Sequence, residues 1–256
     1  MGASEVLHAG VVVEHCDIHG DYESPRKWID LLGRHVTVLC PKCSEERKAA
    51  EEEQTRALWE MWDLKAKRDA GVPLRFDDKT LDSYRAENDK QQIALAACRK
   101  LVAAMSAMQE GGEAPNLVMT GKPGTGKSHL CCGIVLELYR THKVRRVDLP
   151  DLIREIRSTW SRDSDRTEES VLDWYGSLDL LIIEEVGTGA GTDDERARIF
   201  QVVNRRYEAM LPTVVVSNLE LESLKKEIGE RVIDRLREGS RSLLVFDWAS
   251  HRGAGV

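Results

Sequence analysis

The chain has 256 residues, 41% of them hydrophobic and 32% charged, and a formal net charge of -7. That length suits one core of ordinary domain size plus a smaller appendage. The acidic balance excludes a chain-wide basic field for nucleic acid, so any DNA contact must be local or pooled between subunits. No apolar run reaches the ~18 residues that span a bilayer, and residues 1–10 show no basic stretch before an apolar core, which argues against a secretory signal. Cys16, Cys40, Cys43, Cys98, Cys131 and Cys132 do not form a secreted disulfide framework, so a cytoplasmic protein without membrane contact is expected.

In chain order, two metal-ligand pairs come first. Cys16-x-x-His19 and Cys40-x-x-Cys43 stand twenty residues apart, beside strand-like runs at 11–14 and 35–39. Two such knuckles bring four soft or borderline ligands around one tetrahedral Zn²⁺. A domain this small needs such a staple. Residues 1–43 are therefore expected to form a zinc-ribbon-like domain, with His15 an alternative to Cys16 or His19. Residues 44–72 read as a charged helical linker ended by Gly71 and Pro73. On it Leu58, Met61, Trp62 and Lys65 share a face, either a packing seam or a partner groove, and Trp59 falls off that face.

From residue 73 to 256 apolar strands alternate with helices. The spacing predicts helix 86–109, strand 116–120, helix 127–140, strand 144–148 and helix 151–160. A polar loop at 161–170, strand 178–183, helix 193–210, strand 213–217, helical segments over 221–238 and strand 242–246 complete the pattern. This is an α/β fold with a parallel sheet covered on both faces.

GKPGTGKS, residues 121–128, follows an apolar strand and opens a helix, the setting in which G-x-x-x-x-G-K-[ST] cradles phosphates. Its glycines permit φ > 0 and let backbone N–H groups approach phosphate oxygens. Lys127 is expected on the β- and γ-phosphates and the Ser128 hydroxyl on Mg²⁺, with the helix N-terminus adding positive charge. The expected ATP contacts are Gly121, Lys122, Pro123, Gly124, Thr125, Gly126, Lys127, Ser128 and His129. In LDLLIIEEVG, residues 178–187, an apolar strand delivers two carboxylates to its C-terminal edge, where ligands bind in open α/β sheets. Glu184 is expected to hold Mg²⁺ through water and Glu185 to polarise the attacking water. An acidic strand end without a role is the plainer alternative. Asn218, ending the strand at 213–217, either orients water near the γ-phosphate or caps a turn.

GKPGTGKSHL, DLLIIEEVG, PTVVVSN, GERVIDRLREG and FDWASHR occur in this order over about residues 75–252. Together they resemble the DnaC-type helicase loaders, particularly the bacteriophage and prophage members. The resemblance implies an AAA+ P-loop ATPase of DNA replication that binds the hexameric replicative helicase and single-stranded DNA, switched by ATP. It puts Asn218 in the sensor-1 place, Arg235 in the arginine-finger place with Arg231 as alternative, and Arg252 in the sensor-2 place. An arginine finger acts on nucleotide held by a neighbouring subunit, so self-association is implied. A salt-bridge ladder of Arg231, Asp234, Arg235 and Glu238 explains the same spacing. Most members of the family have Asp where this chain has Glu184. Mg²⁺ tolerates little distortion, so slow hydrolysis is expected. Ten residues follow Phe246, too few for a full lid domain, which leaves Arg252 to act from a short tail.

By analogy with the loaders, residues 1–70 hold the helicase. Phe76 lines either the adenine pocket or the core. Arg196, Arg198, Arg205 and Arg206 are either DNA contacts or a solvated helix face. Two other functions compete: an IstB-like transposition ATPase on duplex DNA, and an ATP-binding adaptor with little hydrolysis.

Overall fold

The computed structural model describes residues 10–25, 27–29, 34–36, 38–108, 113–188, 191–238 and 243–250, with 27–29 and 34–36 described as backbone. Arg252 and Ser242 lie outside the described residues. The chain divides into two compact units, Met1–Asp63 and Leu64–Val256.

In the first unit, β1 (Val11–Cys16) and β2 (Gly20–Pro25) form an antiparallel hairpin in which Cys16 faces Gly20. Gly20 takes φ 77, which the tight turn requires. The strand β2 was not expected, because GDYESP carries little apolar signal. A second antiparallel pair joins β3 (Lys27–Ile29) to β4 (Arg34–Val36). The long helix α1 (Pro41–Asp69) opens on Pro41, whose fixed φ suits a first helical position. Among the described residues of this unit only Ser24 and Cys40 are buried, so there is almost no apolar core. The stripe on α1 is not core: Leu58, Met61 and Trp62 are exposed, and Trp59 meets Trp62 edge-on at 5.7 Å.

The second unit contains α2 (Asp89–Met108), β5 (Leu117–Gly121), α3 (Lys127–Leu138), β6 (Val144–Asp148) and α4 (Leu149–Ser158). It continues through α5 (Glu168–Gly176), β7 (Leu180–Val186), α6 (Asp193–Glu208) and β8 (Thr213–Ser217). Helices α7 (Leu221–Ile228) and α8 (Glu230–Arg237) precede β9 (Leu243–Phe246). The five strands pair in parallel in the order β6-β7-β8-β5-β9. The edge strand β6 also receives Ala70, whose carbonyl accepts from the Arg146 N–H at 2.8 Å. At the other edge β9 pairs only with β5 among the described residues.

Side chains alternate across this sheet and make two cores. Leu180, Ile182, Val214, Val216 and Phe246 join α2 and α3 on one face. Leu181, Ile183 and Val215 join α4 to α8 on the other. The same alternation carries Arg146 and Glu184 to the α3 face and sends their odd-numbered neighbours away from it.

The second unit departs from the sequence expectation at a loop and at a buried arginine. The loop at 161–170 gives way to α5 at Glu168, because Thr167 and Ser170 form a reciprocal cap with two 3.1 Å bonds. Arg206 is neither a DNA contact nor a solvated residue. It is fully buried and donates to the carbonyls of Tyr175, Leu178 and Pro212 and to Thr213 Oγ1 at 2.7–3.0 Å. Its neighbours on α6 are paired instead: Arg196 with Asp193, Arg198 with Glu168 and Asp194, and Arg205 with Glu169 and Asp173.

Candidate functional site

The phosphate loop leaves β5 at Gly121 and enters α3 at Lys127. Gly121, Gly124 and Gly126 take φ of 123, 76 and 98. A Cβ at Gly121 would overlap the Phe246 carbonyl, and one at Gly126 would meet the Tyr84 ring at 2.8 Å. These two glycines are therefore set by close approach as well as by backbone angle.

The loop is braced from outside by β9 and the segment after it. The Lys122 N–H donates to the Phe246 carbonyl at 2.8 Å, and Trp248 Nε1 donates to the Thr125 carbonyl at 3.0 Å. Thr125 Oγ1 caps back to the Lys122 carbonyl. Lys127 is buried, and its ammonium donates to the carbonyls of Gly121 and Lys122 at 2.7 Å each.

Ser128, on the first turn of α3, donates its hydroxyl to Glu184 Oε2 at 2.7 Å. Glu184 is 2% exposed, and its second oxygen accepts from Arg146 Nε at 2.8 Å. Arg146 also reaches Asp148 Oδ1 through Nη2 at 3.3 Å. Burial pushes the Asp148 carboxyl above its ordinary value, against the pull of Arg146. The next residue, Glu185, is exposed and takes φ 54, at an irregularity in the β7–β8 register between Ile183 and Val186. Such a break re-aims a side chain at a strand end. Ser217 Oγ donates to the Val186 carbonyl at 2.5 Å and accepts from the Leu219 N–H at 3.0 Å. This ties the end of β8, and with it exposed Asn218, to the strand end that carries both carboxylates.

Other expected residues fall elsewhere. The His129 ring nitrogen meets the Thr80 carbonyl at 2.9 Å and Ser83 Oγ at 3.1 Å, and the ring packs edge-on against Tyr84. Phe76 packs against the core that holds α2 and α3. Arg235, on α8, lies over the rings of Phe200 and Tyr207 at 4.6 and 5.4 Å. With Arg231, Asp234 and Glu238 these residues line a surface pocket that contains no residue of the phosphate loop. Among the described residues no ion pair joins Arg231, Asp234, Arg235 and Glu238, and Glu238 instead accepts the Tyr207 hydroxyl at 2.7 Å.

Arg146, Tyr84 and Trp248 were missed by sequence reasoning. Burial pushes the Tyr84 phenol up to about 12. Its hydroxyl, beside Gly126, is among the buried polar atoms without a hydrogen-bond partner. Arg146 stands beside Arg145 in the charged strand VRRVD, where nothing in the sequence separates the inward arginine from the other, and Trp248 lies within FDWASHR without a role of its own.

In the first unit Cys16, His19, Cys40 and Cys43 bring their ligand atoms within 4.8 Å of one another. Cys16 Sγ lies 3.5 Å from Cys43 Sγ, and His19 Nδ1 lies 3.3 to 3.8 Å from the three sulfurs. Zn–S bonds of about 2.3 Å and Zn–N bonds of about 2.0 Å in a tetrahedron give edges of roughly this length. The other ring nitrogen, Nε2, donates to Glu46 Oε1 at 3.0 Å, the outer partner that a metal-bound histidine needs. Backbone N–H groups of Ile18 and His19 pull the Cys16 thiol down to about 6, favouring thiolate. His15 pairs with Asp21 at 2.6 Å and is not in the cluster. The donor set is compatible with a zinc site.

Residues 70–238 match the family model of the IstB-like ATP binding proteins. The chain is 33% identical over 184 residues to the replicative helicase loader DnaC of Escherichia coli (strain K12), covering 72% of this chain and 73% of that protein. Identity rises to 40%, with the same coverage, for DnaC of Buchnera aphidicola subsp. Baizongia pistaciae. A crystal structure of the DnaC helicase loader superposes with a TM-score of 0.57 at 23% identity, over 68% of this chain and all of that one.

Proposed function

The chain belongs to the DnaC-type helicase loaders, within the IstB-like ATP-binding proteins, and from that premise we propose that it is an ATPase that loads a hexameric replicative helicase onto single-stranded DNA. The observation that carries the catalytic part is the join between Ser128 and Glu184 at 2.7 Å, with Glu185 presented beside it at the strand end. Ser128 and Glu184 would hold Mg²⁺, and the residues fit it: a hydroxyl and a carboxylate oxygen on one side of the phosphate loop. When bound there, Mg²⁺ offsets charge on the phosphate oxygens. Lys127 turns its ammonium from the loop carbonyls to the β- and γ-phosphates. Glu185 orients and polarises the attacking water, and Asn218 holds that water from the neighbouring strand.

Arg235, with Arg231 as the alternative, completes the site of an adjoining subunit, which makes the active form an assembly. Its ring contacts on α6 hold the guanidinium at the surface. The Cys16, His19, Cys40 and Cys43 cluster binds a structural Zn²⁺, and residues 1–70 contain the helicase contact. A second reading, an ATP-binding adaptor with little hydrolysis, draws support from one observation: Arg146 engages the carboxylate that Mg²⁺ needs.

The decisive experiment is co-migration with a hexameric replicative helicase, with and without ATP and single-stranded DNA, by size-exclusion chromatography with light scattering. A joint complex that is lost on deleting residues 1–70 is expected. Absence of any complex, together with ATP-dependent filaments on duplex DNA, would move the function to the transposition ATPases.

A further inference from the structure

Arg146 is a largely buried cation beside the phosphate loop, and the roles of Lys127, Ser128, Glu184, Glu185 and Asn218 leave it without one of its own. It rises from β6 in register between Val144 and Asp148, on the sheet face that carries Glu184. Its side chain is 11% exposed, and each guanidinium nitrogen has an acceptor. Nε donates to Glu184 Oε1 at 2.8 Å, Nη2 to Asp148 Oδ1 at 3.3 Å, and Nη1 to the Gly71 carbonyl at 3.4 Å. The backbone beneath is held as tightly, since the Arg146 N–H donates to Ala70 and a Cβ on Gly71 would overlap the Arg146 carbonyl. The guanidinium is therefore fixed before any ligand binds.

Glu184 is held from two sides. Oε1 is taken by Arg146 and Oε2 by the Ser128 hydroxyl, so the carboxylate has one orientation. A buried glutamate has one more rotatable bond than aspartate, and a buried carboxylate without a partner is costly. A planar, permanently charged fork removes both problems, because it pairs the charge and fixes the added torsion.

We propose that Arg146 is a positioning residue for the Mg²⁺ site: it absorbs the extra length of Glu184 at Oε1 and presents Oε2 next to Ser128 as the single oxygen that serves the cation. This rests on the reading of residues 121–128 and Glu184 as an Mg-nucleotide site. It assigns Glu184 and Arg146 to one functional unit, in which neither residue works without the other.

The test is a double-mutant cycle on the full chain with R146M, E184D and R146M/E184D, read as the Mg²⁺ concentration that half-saturates the tightening of a fluorescent ATP analogue. Nucleotide affinity without Mg²⁺ and unfolding midpoint without nucleotide are measured beside it. E184D is too short to reach the guanidinium, and R146M leaves Glu184 held by Ser128 alone. Each single change is expected to raise half-saturating Mg²⁺ about tenfold: E184D leaves the largely buried guanidinium without its Glu184 partner beside the cation site, and R146M leaves the longer carboxylate without its arginine. The double variant carries neither fault and is expected to return to within about threefold of wild type. R146M strands a buried carboxylate and can unfold the site. R146K therefore serves as second variant: it keeps the charge, loses the planar fork, and is expected to shift Mg²⁺ dependence in the same direction.

Single variants that match wild type, or that tighten Mg²⁺ binding, overturn the proposal, the latter because Arg146 would then compete with the cation. A double variant as weak as the product of the singles overturns it as well. A wild-type chain that binds no Mg-nucleotide removes both this inference and the proposed ATPase. Normal wild-type binding with an additive cycle removes this inference alone.

Discussion

Glu185 holds a left-handed backbone at φ 54, a conformation that costs a residue with a Cβ about 1–2 kcal/mol. Strain of this kind persists where surrounding structure enforces it, and it clusters at functional sites. Here the enforcement is visible: Thr188 donates to the Glu185 carbonyl, and Ser217 grips Val186 next to it. If Glu185 polarises the attacking water, E185Q keeps the fold and ATP binding but lowers the turnover number by about 10²- to 10³-fold. Single-turnover hydrolysis beside equilibrium ATP binding checks this, and unchanged turnover would remove Glu185 from the mechanism. The acidic pair was legible because two carboxylates end an apolar strand. The partner of Glu184 was not, because Arg146 stands 38 positions away and meets it only through the pairing of β6 with β7. A local reading contains no register between distant strands.

At the level of elements, the phosphate loop was legible because strand, glycine loop and helix follow one another without a gap, so local motif and local structure coincide. Helix α5 was not, because its Thr167–Ser170 cap sits inside a run of Ser, Asp and Arg that reads as loop. Hairpin β1–β2 was half legible: Val11 to Glu14 read as a strand, whereas GDYESP is held by backbone pairing and by the Ser24–Val38 bonds at 2.7 and 3.3 Å. There is little apolar burial there, and the Cys16, His19, Cys40 and Cys43 cluster joins the hairpin to the start of α1; if it holds Zn²⁺, both depend on the metal. Metal analysis of the purified chain is expected to give about one zinc per chain, and C43S to lower that to about a tenth or less. A metal-free wild-type chain with the hairpin intact by amide exchange would show that the staple is not zinc.

For the whole molecule, the strand order sets where chemistry collects. β8 lies between the strand of the phosphate loop and the strand of the two carboxylates, so Asn218 at its end stands between the two. Arg235 has no such place within its own site: it lies over Phe200 and Tyr207 in a separate surface pocket. If it serves a neighbour, R235A hydrolyses ATP at least about 10²-fold more slowly with binding intact, and mixing R235A with E185Q restores activity, since each chain supplies what the other lacks. Steady-state rates across mixing ratios check this, and a mixture no faster than its parents would confine Arg235 to a structural role.

The two margins of the central sheet are unequal. Ala70 covers part of β6, whereas β9 offers the half-exposed Val245 and, among the described residues, has one neighbouring strand. An unpaired margin is where copies of a protein adhere by adding strands to one another. At four residues, Leu243–Phe246, this one gives an invading strand little to grip. Crowding of many copies at one place should therefore favour contacts through helices and side chains, with little risk of amyloid-like growth.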